Sequence, residues 1–383
     1  MNKTFCPMPF IHAQINPGGK VLPCCKWQED QDGNTAWPNI NDGGLDQALN
    51  HKNFQKVRQD LLEGKMPGGC SKCFKQESTL GKSYRLYRLN KDKSWIDKTF
   101  DKLSKTYHSM RFIETAFSTL CNLSCRMCWP GVSSTFHKIV NPKQKKQQLY
   151  DYGLDSYNID LSNLKEIKFV GGEPLMEQKH DDFIQHLIDN NTDIKDLELI
   201  YHTNATVLPS PRVREFWKKC KSVQLKLSID GYGSNNWNQR PGPYTWLDII
   251  KVCDTYKQLA KDMPNLKIRI SSTITKISVF HLVELENWIQ DYWKEFCDND
   301  HLFWDAYPCV QPKQLAICDW AGNSKRFSQV KKYLTQLKRK DIAMSILNEF
   351  DLNHSKNFTY DDNFNDYQTK LNNYWNYSID KYL

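Results

Sequence analysis

The chain has 383 residues, 39% of them hydrophobic and 13% aromatic, with 52 basic against 44 acidic side chains and a formal net charge of +8. That length exceeds the ~100–200 residues of one typical domain, so a core domain with an appendage, or one barrel with extensions, is expected. No apolar run approaches the ~18 residues of a membrane span, and the mild basic excess lacks the aromatic platform of a single-strand binder, which argues against both membrane and nucleic acid as partners.

The opening stretch MNKTFCPMPF has no apolar core of a secretory signal, which predicts a cytoplasmic protein. In that compartment the 13 cysteines are expected as thiols or metal ligands rather than disulfides. Residues 1–80 are rich in Cys, Pro and Gly, with turn signals at NPGGK, NDGG and MPGGC. They read as a small metal-stabilised module carrying Cys6, Cys24, Cys25, Cys70 and Cys73. Within it Leu45, Leu49, Phe54, Val57 and Leu61 recur at helical spacing, so a helix is predicted before the Cys70 pair. Residues 81–107 read as a linker.

From residue 108 short apolar runs alternate with amphipathic segments. Strands are predicted over 110–117, 164–170, 197–203, 222–229, 266–274 and 302–310, and helices over 179–190, 210–220, 245–260 and 280–296. This alternation predicts an α/β fold, a partial (β/α)6 TIM-like barrel over 108–325, with chemistry on the loops after the strands. Residues 326–383 read as a C-terminal helical extension, with a helix over 326–350 and an aromatic tail, LNNYWNYSIDKYL, that docks back on the barrel. The basic stretches 142–148, 218–221 and 338–340 read as solvated helix faces. Cys220, Cys253, Cys297 and Cys318 read as small core hydrophobes. Cys309 ends the sixth strand, where it is either a packing cysteine or a thiol facing the substrate and returning a hydrogen atom to it.

The stretch CNLSCRMCW places Cys121, Cys125 and Cys128 directly after the first barrel strand, in the spacing C-x3-C-x2-C. A structural zinc with three thiolates is one ligand short. An iron–sulfur cube is different, because three cysteines hold three irons and leave the fourth open to an external ligand.

This motif resembles the signature of radical S-adenosylmethionine (SAM) enzymes, in which the amine and carboxylate of SAM take that open iron. FVGGEP, after the second strand, resembles the family's glycine-rich loop: Gly171 and Gly172 let the backbone approach the methionyl group, Glu173 accepts from its ammonium, and Pro174 completes the cofactor-binding stretch. TNA after the third strand resembles the family's threonine–asparagine–glycine turn, with Asn204 kept and Ala205 replacing the glycine. SIDG after the fourth carries Ser228 and Asp230, and Arg240 in NQRPG stands where relatives supply a carboxylate-binding arginine. Met127, before the third cysteine, takes the place of an aromatic residue that covers the adenine.

The spacing of Cys6, Gly19 and Cys24, with Cys70 and Cys73, resembles the twitch module, the shortened relative of the SPASM extension, and so implies an auxiliary [4Fe-4S] cluster. Here the module precedes the barrel, as in the branch of twitch domain-containing radical SAM proteins. A zinc knuckle would use the same four thiolates, and Cys25 competes with Cys24 as ligand. The resemblance implies two [4Fe-4S] clusters, SAM, and a flavodoxin or ferredoxin as electron donor. It also implies a 5′-deoxyadenosyl radical that takes a hydrogen atom from a peptide, or otherwise from a sugar or nucleotide-sugar. The rival from another class is a non-catalytic iron–sulfur or zinc protein that binds nucleic acid, which leaves GGEP and SIDG without a purpose.

Overall fold

Alternate residues of a strand face opposite sides, and in this chain that alternation separates an apolar face from a polar one across a single sheet. The computed structural model describes residues 1–29, 36–107, 109–144, 153–189, 193–297, 303–320, 323–353, 363–379 and 382. Its strands are β1 His12–Ile15, β2 Val21–Leu22, β3 Phe112–Thr115, β4 Glu166–Phe169, β5 Glu198–Thr203, β6 Ser222–Ser228, β7 Leu266–Ile274 and β8 Phe303–Pro308. They form one sheet in the order β2-β1-β3-β4-β5-β6-β7-β8, parallel throughout except for the antiparallel β1–β2 pair. The six predicted strands are thus β3 to β8, side by side in chain order. The cysteine-rich segment adds two short strands at the β3 edge.

One face of the sheet packs under helices through Ile167, Leu199, Leu225, Leu227, Ile268 and Ile270, each no more than 1% exposed. Burial of each such side chain is worth about 1.5–3 kcal/mol, which fixes the strand register. The covering helices carry local stop and start signals. Ser210 caps Pro211–Lys219, with the proline in the first turn, and Thr245 with Asp248 forms a reciprocal capping box on Trp246–Asp262. Cys220 and Cys253 are buried in this core.

Two segments differ from their sequence reading. Residues 81–107 carry the helices Tyr84–Lys91 and Lys93–Thr99 in place of an open linker. The helix expected over 326–350 is two, Ser324–Leu334 and Lys340–Asn353. The break has a cause: the buried carboxylate of Glu286 accepts the backbone N–H groups of Lys338 and Arg339, both at 2.7 Å, and so takes them out of a helical ladder. Residues 145–148 of the first basic stretch, residue 302 of the sixth predicted strand and residues 380, 381 and 383 of the tail lie outside the described residues. Among the described residues no helix is long and apolar enough to cross a membrane.

A buried ion network joins residues 81–107 to the barrel. Arg88 donates from Nε to Asp92 and from Nη1 to Glu166 at the start of β4, both at 2.9 Å, and all three side chains are at most 7% exposed. Arg88→Ala would leave two buried carboxylates without their guanidinium, and breaking such a network costs about 3–5 kcal/mol. A lowered midpoint in denaturant with an unchanged slope is the expected result; an unchanged midpoint would show that the network does not hold this end of the barrel.

Candidate active site

The loop after β3 is held open by its own backbone contacts. Cys121 N–H donates to Ser134 Oγ, the Thr135 hydroxyl donates to Cys121 O, and Ser124 and Arg126 donate their amides to Pro241 O and Gln239 O. These bonds bring Cys121, Cys125 and Cys128 into one cluster with Leu123, Met127 and Tyr244. Cys125 and Cys128 share a thiol hydrogen bond, and Arg240 Nη1 stands 3.7 Å from Cys125 Sγ. Burial pushes the Cys121 thiol up to about 12, whereas the bond from Cys128, helped by Arg240, lowers that of Cys125. Thiols this buried need a bound metal to stay deprotonated.

The glycine-rich loop lies against the same segment. A Cβ on Gly172 would sit 2.1 Å from Leu120 O, and Gly171 has φ +113°, so both positions demand glycine. Glu173 N–H donates to Leu120 O at 2.6 Å, directly before the first cysteine. The Glu173 carboxylate, 1% exposed, accepts from the amides of Asn204 and Leu175. Burial raises its pKa to about 7 despite those bonds. Pro174 follows in a short 3-10 turn.

Asn204 closes the far side, donating to Asn122 Oδ1 at 2.7 Å, with its amide 3.9 Å from Cys121 Sγ. Ala205 has φ +60°, the left-handed conformation that a glycine adopts without cost and an alanine at about 1–2 kcal/mol. Arg240 is anchored by Asp230, which is fully buried and also accepts from Thr273 N–H and Gln239 Nε2. Ser228 is half-buried at the end of β6. Met127 lies between the cysteine cluster and a second apolar cluster of Ile277, Cys309, Leu315, Phe364 and Ile379. Cys309 belongs to that apolar cluster. It is 5% exposed and its thiol donates to Gln311 O at 3.0 Å.

In the N-terminal segment one cavity is lined by Cys6, Cys24, Cys70 and Cys73, floored by Trp27 and Gly69 and edged by Arg85. A Cβ on Gly69 would fall 2.2 Å from the Trp27 ring. Cys25 does not line this cavity; Glu114, Lys168 and Lys26 are its charged neighbours, on the sheet side. Its thiol nevertheless shares a side-chain hydrogen bond with that of Cys24, so the two adjacent cysteines stand in contact. Among the described residues no three His, Cys, Asp or Glu side chains close around a point as they do around a single ion. A four-iron cube asks for more widely set thiols than one ion does, and the donor sets of three and of four cysteines fit two such cubes.

Sequence reasoning missed how the cysteine loop is fastened. Arg126, between two of its cysteines and fully buried, donates to Asn372 Oδ1 at 2.7 Å, Gln368 Oε1 at 3.2 Å and Tyr377 O at 3.1 Å. Gln368 returns a bond to Arg126 O, and Trp375 Nε1 donates to Ser124 Oγ at 2.8 Å. The helix Phe364–Trp375 therefore clamps the loop from outside.

Comparison with known proteins agrees with this arrangement. Residues 115–274 match the Radical SAM superfamily, and residues 6–74 match SPASM, an iron–sulfur cluster-binding domain. A curated relative is the GTP 3',8-cyclase of Helicobacter pylori (strain ATCC 700392 / 26695), 24% identical over 199 residues, which are 50% of this chain and 57% of that protein. Solved structures that align include Streptococcus suis SuiB bound to S-adenosylmethionine (16% identical, 80% of this chain and 68% of that one, TM-score 0.35). Native anSMEcpe with bound AdoMet also aligns (16% identical, 63% and 61%, TM-score 0.34). The chain spans less than two thirds of the length of the curated relative and of anSMEcpe.

Replacing Arg126 by Met keeps the length of the side chain but strands Gln368 and Asn372, at about 1–3 kcal/mol for each buried group left unpaired. Amide hydrogen exchange across 364–375 is expected to quicken tenfold or more; unchanged protection would show that the guanidinium does not hold the helix.

Proposed function

We infer the activity from a chain that carries a radical SAM domain behind an iron–sulfur cluster-binding domain, with S-adenosylmethionine and two iron–sulfur clusters as their cofactors. The observation that carries the reading is the close packing of Gly172 and Glu173 on the backbone that leads into three converging cysteines. Cys121, Cys125 and Cys128 supply thiolates for the cluster that binds SAM, and Cys6, Cys24, Cys70 and Cys73 supply those of the auxiliary cluster. The chemistry these cofactors supply when bound is one-electron cleavage of SAM to a 5′-deoxyadenosyl radical and removal of a hydrogen atom from a substrate. A flavodoxin or ferredoxin serves as electron donor.

The chain's own groups bind and orient. Gly171 and Gly172 give the methionyl group room, and the Glu173 carboxylate, held by two backbone amides, receives its ammonium. Asp230 aims Arg240 at the cysteine cluster, where the guanidinium favours the thiolate of Cys125 and receives the methionyl carboxylate together with Ser228. Asn204 ties the third-strand turn to the cysteine loop. Met127 covers the adenine from the C-terminal side.

The substrate in this reading is a peptide, supported by the fused iron–sulfur module, which accompanies peptide-modifying branches of the family. A second reading, a phosphorylated small substrate, is favoured by the sequence similarity to a GTP 3',8-cyclase.

Two measurements test the assignment. With Cys121, Cys125 and Cys128 all changed to Ala, SAM cleavage is expected to vanish while about half the iron remains in the N-terminal module. Loss of all iron, or continued release of 5′-deoxyadenosine, contradicts it. The second measurement is the pH dependence of SAM affinity. Glu173 accepts an ammonium only when ionised, so with a pKa of about 7 its ionised form is present above that pH and is lost below it. Lowering the pH from about 8 to 6 should weaken SAM binding about tenfold, and Glu173→Gln should bind weakly with a flat profile. A wild-type profile as flat as the variant's would remove Glu173 from the ammonium site.

A further inference from the structure

Residues directly opposite in paired strands share a face. Glu114 stands opposite Lys168, His202 opposite Lys226, Lys226 opposite Arg269, and Ser271 opposite Asp305, so charged and polar groups run along one face from β3 to β8. The helices cover the opposite, apolar face, so this one is the inner face of the partial barrel. Its lysines remain within reach of water, Lys168 at 23% and Lys226 at 16% side-chain exposure.

The cations of this wall stand close together, each beside a carboxylate. Lys168 pairs with Glu114 at 3.2 Å, while Lys226 and Arg269 share Asp305 at 3.3 and 3.7 Å. Lys26, exposed beside Cys25, adds a fourth cation. His202 lies amid Lys168, Lys226, Lys26 and Arg240, kept neutral by burial and by those charges, and among the described residues its ring makes no hydrogen bond. Lys168 and Lys226, on either side of a neutral imidazole in a half-buried recess, favour an anion between them. Nothing in the SAM-binding reading uses Lys168, Lys226 or His202.

We propose that this wall recognises the substrate through an anionic group, the carboxylate of an acidic peptide side chain, received by Lys168 and Lys226 with the neutral His202 ring as a hydrogen-bonding partner. The source of the anion rests on the peptide reading; the anion site itself does not.

The test uses protein reconstituted with both clusters, with SAM present, and a displayed library of random dodecapeptides. Retained peptides should be enriched in Asp and Glu over the input, and the enrichment should disappear in Lys168→Met/Lys226→Met. For individual retained peptides, Kd should rise about tenfold or more when either lysine is removed. It should fall in Glu114→Gln, which frees Lys168 from its partner. Glu114→Gln/Lys168→Met removes a whole pair, so weak binding there, with full iron content and native circular dichroism, separates recognition from misfolding. Pyrophosphate and UDP-glucose form a parallel arm. Their binding in place of peptides, lost with the two lysines, upholds the anion site and sinks only the peptide reading. Retention of peptides without acidic enrichment, binding indifferent to both lysines in folded protein, or no binding of any of these probes overturns the proposal.

Discussion

The parallel pairing of β1 with β3, four residues long, is the contact on which the arrangement of the molecule depends. It joins a cysteine-rich segment, too small to bury a core of its own, to the open edge of the barrel sheet, and covers that edge at the same time. His12 in β1 is fully buried, and burial pushes its pKa down to about 3, so the ring is neutral in the folded protein. Its Nδ1 lies 3.1 Å from Pro23 O and, in the tautomer protonated there, ties β1 to the residue before Cys24. The position of the four-cysteine cavity is thereby set by the sheet rather than by a loop.

Because the cavity and the barrel share one sheet, they share a wall. Lys26 lines the four-cysteine cavity and also acts on His202 in the barrel. The N-terminal module is therefore a structural part of the chamber, and its order in the chain, before the barrel rather than after it, does not separate it from the site. Arg85 reinforces the arrangement from behind, donating to Phe5 O at 2.8 Å and pairing with Glu77.

How much of this was legible in the sequence follows from which interactions are local. The six barrel strands, the C-x3-C-x2-C loop and GGEP are written in periodicity and spacing, and they stand at the predicted strand ends. β1 and β2 were hidden because strands of four and two residues in a Cys/Pro/Gly-rich segment have too few alternations to register. The split of the helix expected over 326–350 depends on Glu286, about fifty residues away, and the Arg126 clamp on Gln368 and Asn372, more than 240 residues away. No local pattern encodes either pairing. Cys309, at a strand end, packs with Phe364 and Ile379, partners more than fifty residues further along the chain. The polar wall was visible in SVQLKLS and LELIYHT as alternation, which marks a half-solvated strand equally well.

A closed barrel fills its interior with layers of branched apolar side chains. The inner face of this open sheet carries Glu114, Lys168, Lys226 and Asp305, with the neutral His202 among them, and those charges disfavour a dry, close-packed interior. The interior is consequently a solvated chamber until something of matching polarity enters it. On the proposed function, exclusion of water from the reacting atoms falls to the occupant on the inside and to the C-terminal clamp on the outside of the cysteine loop. The two halves of that enclosure meet at Met127, half-buried between the cysteine cluster and the Phe364–Ile379 cluster, where a flexible thioether can follow either side as the chamber fills.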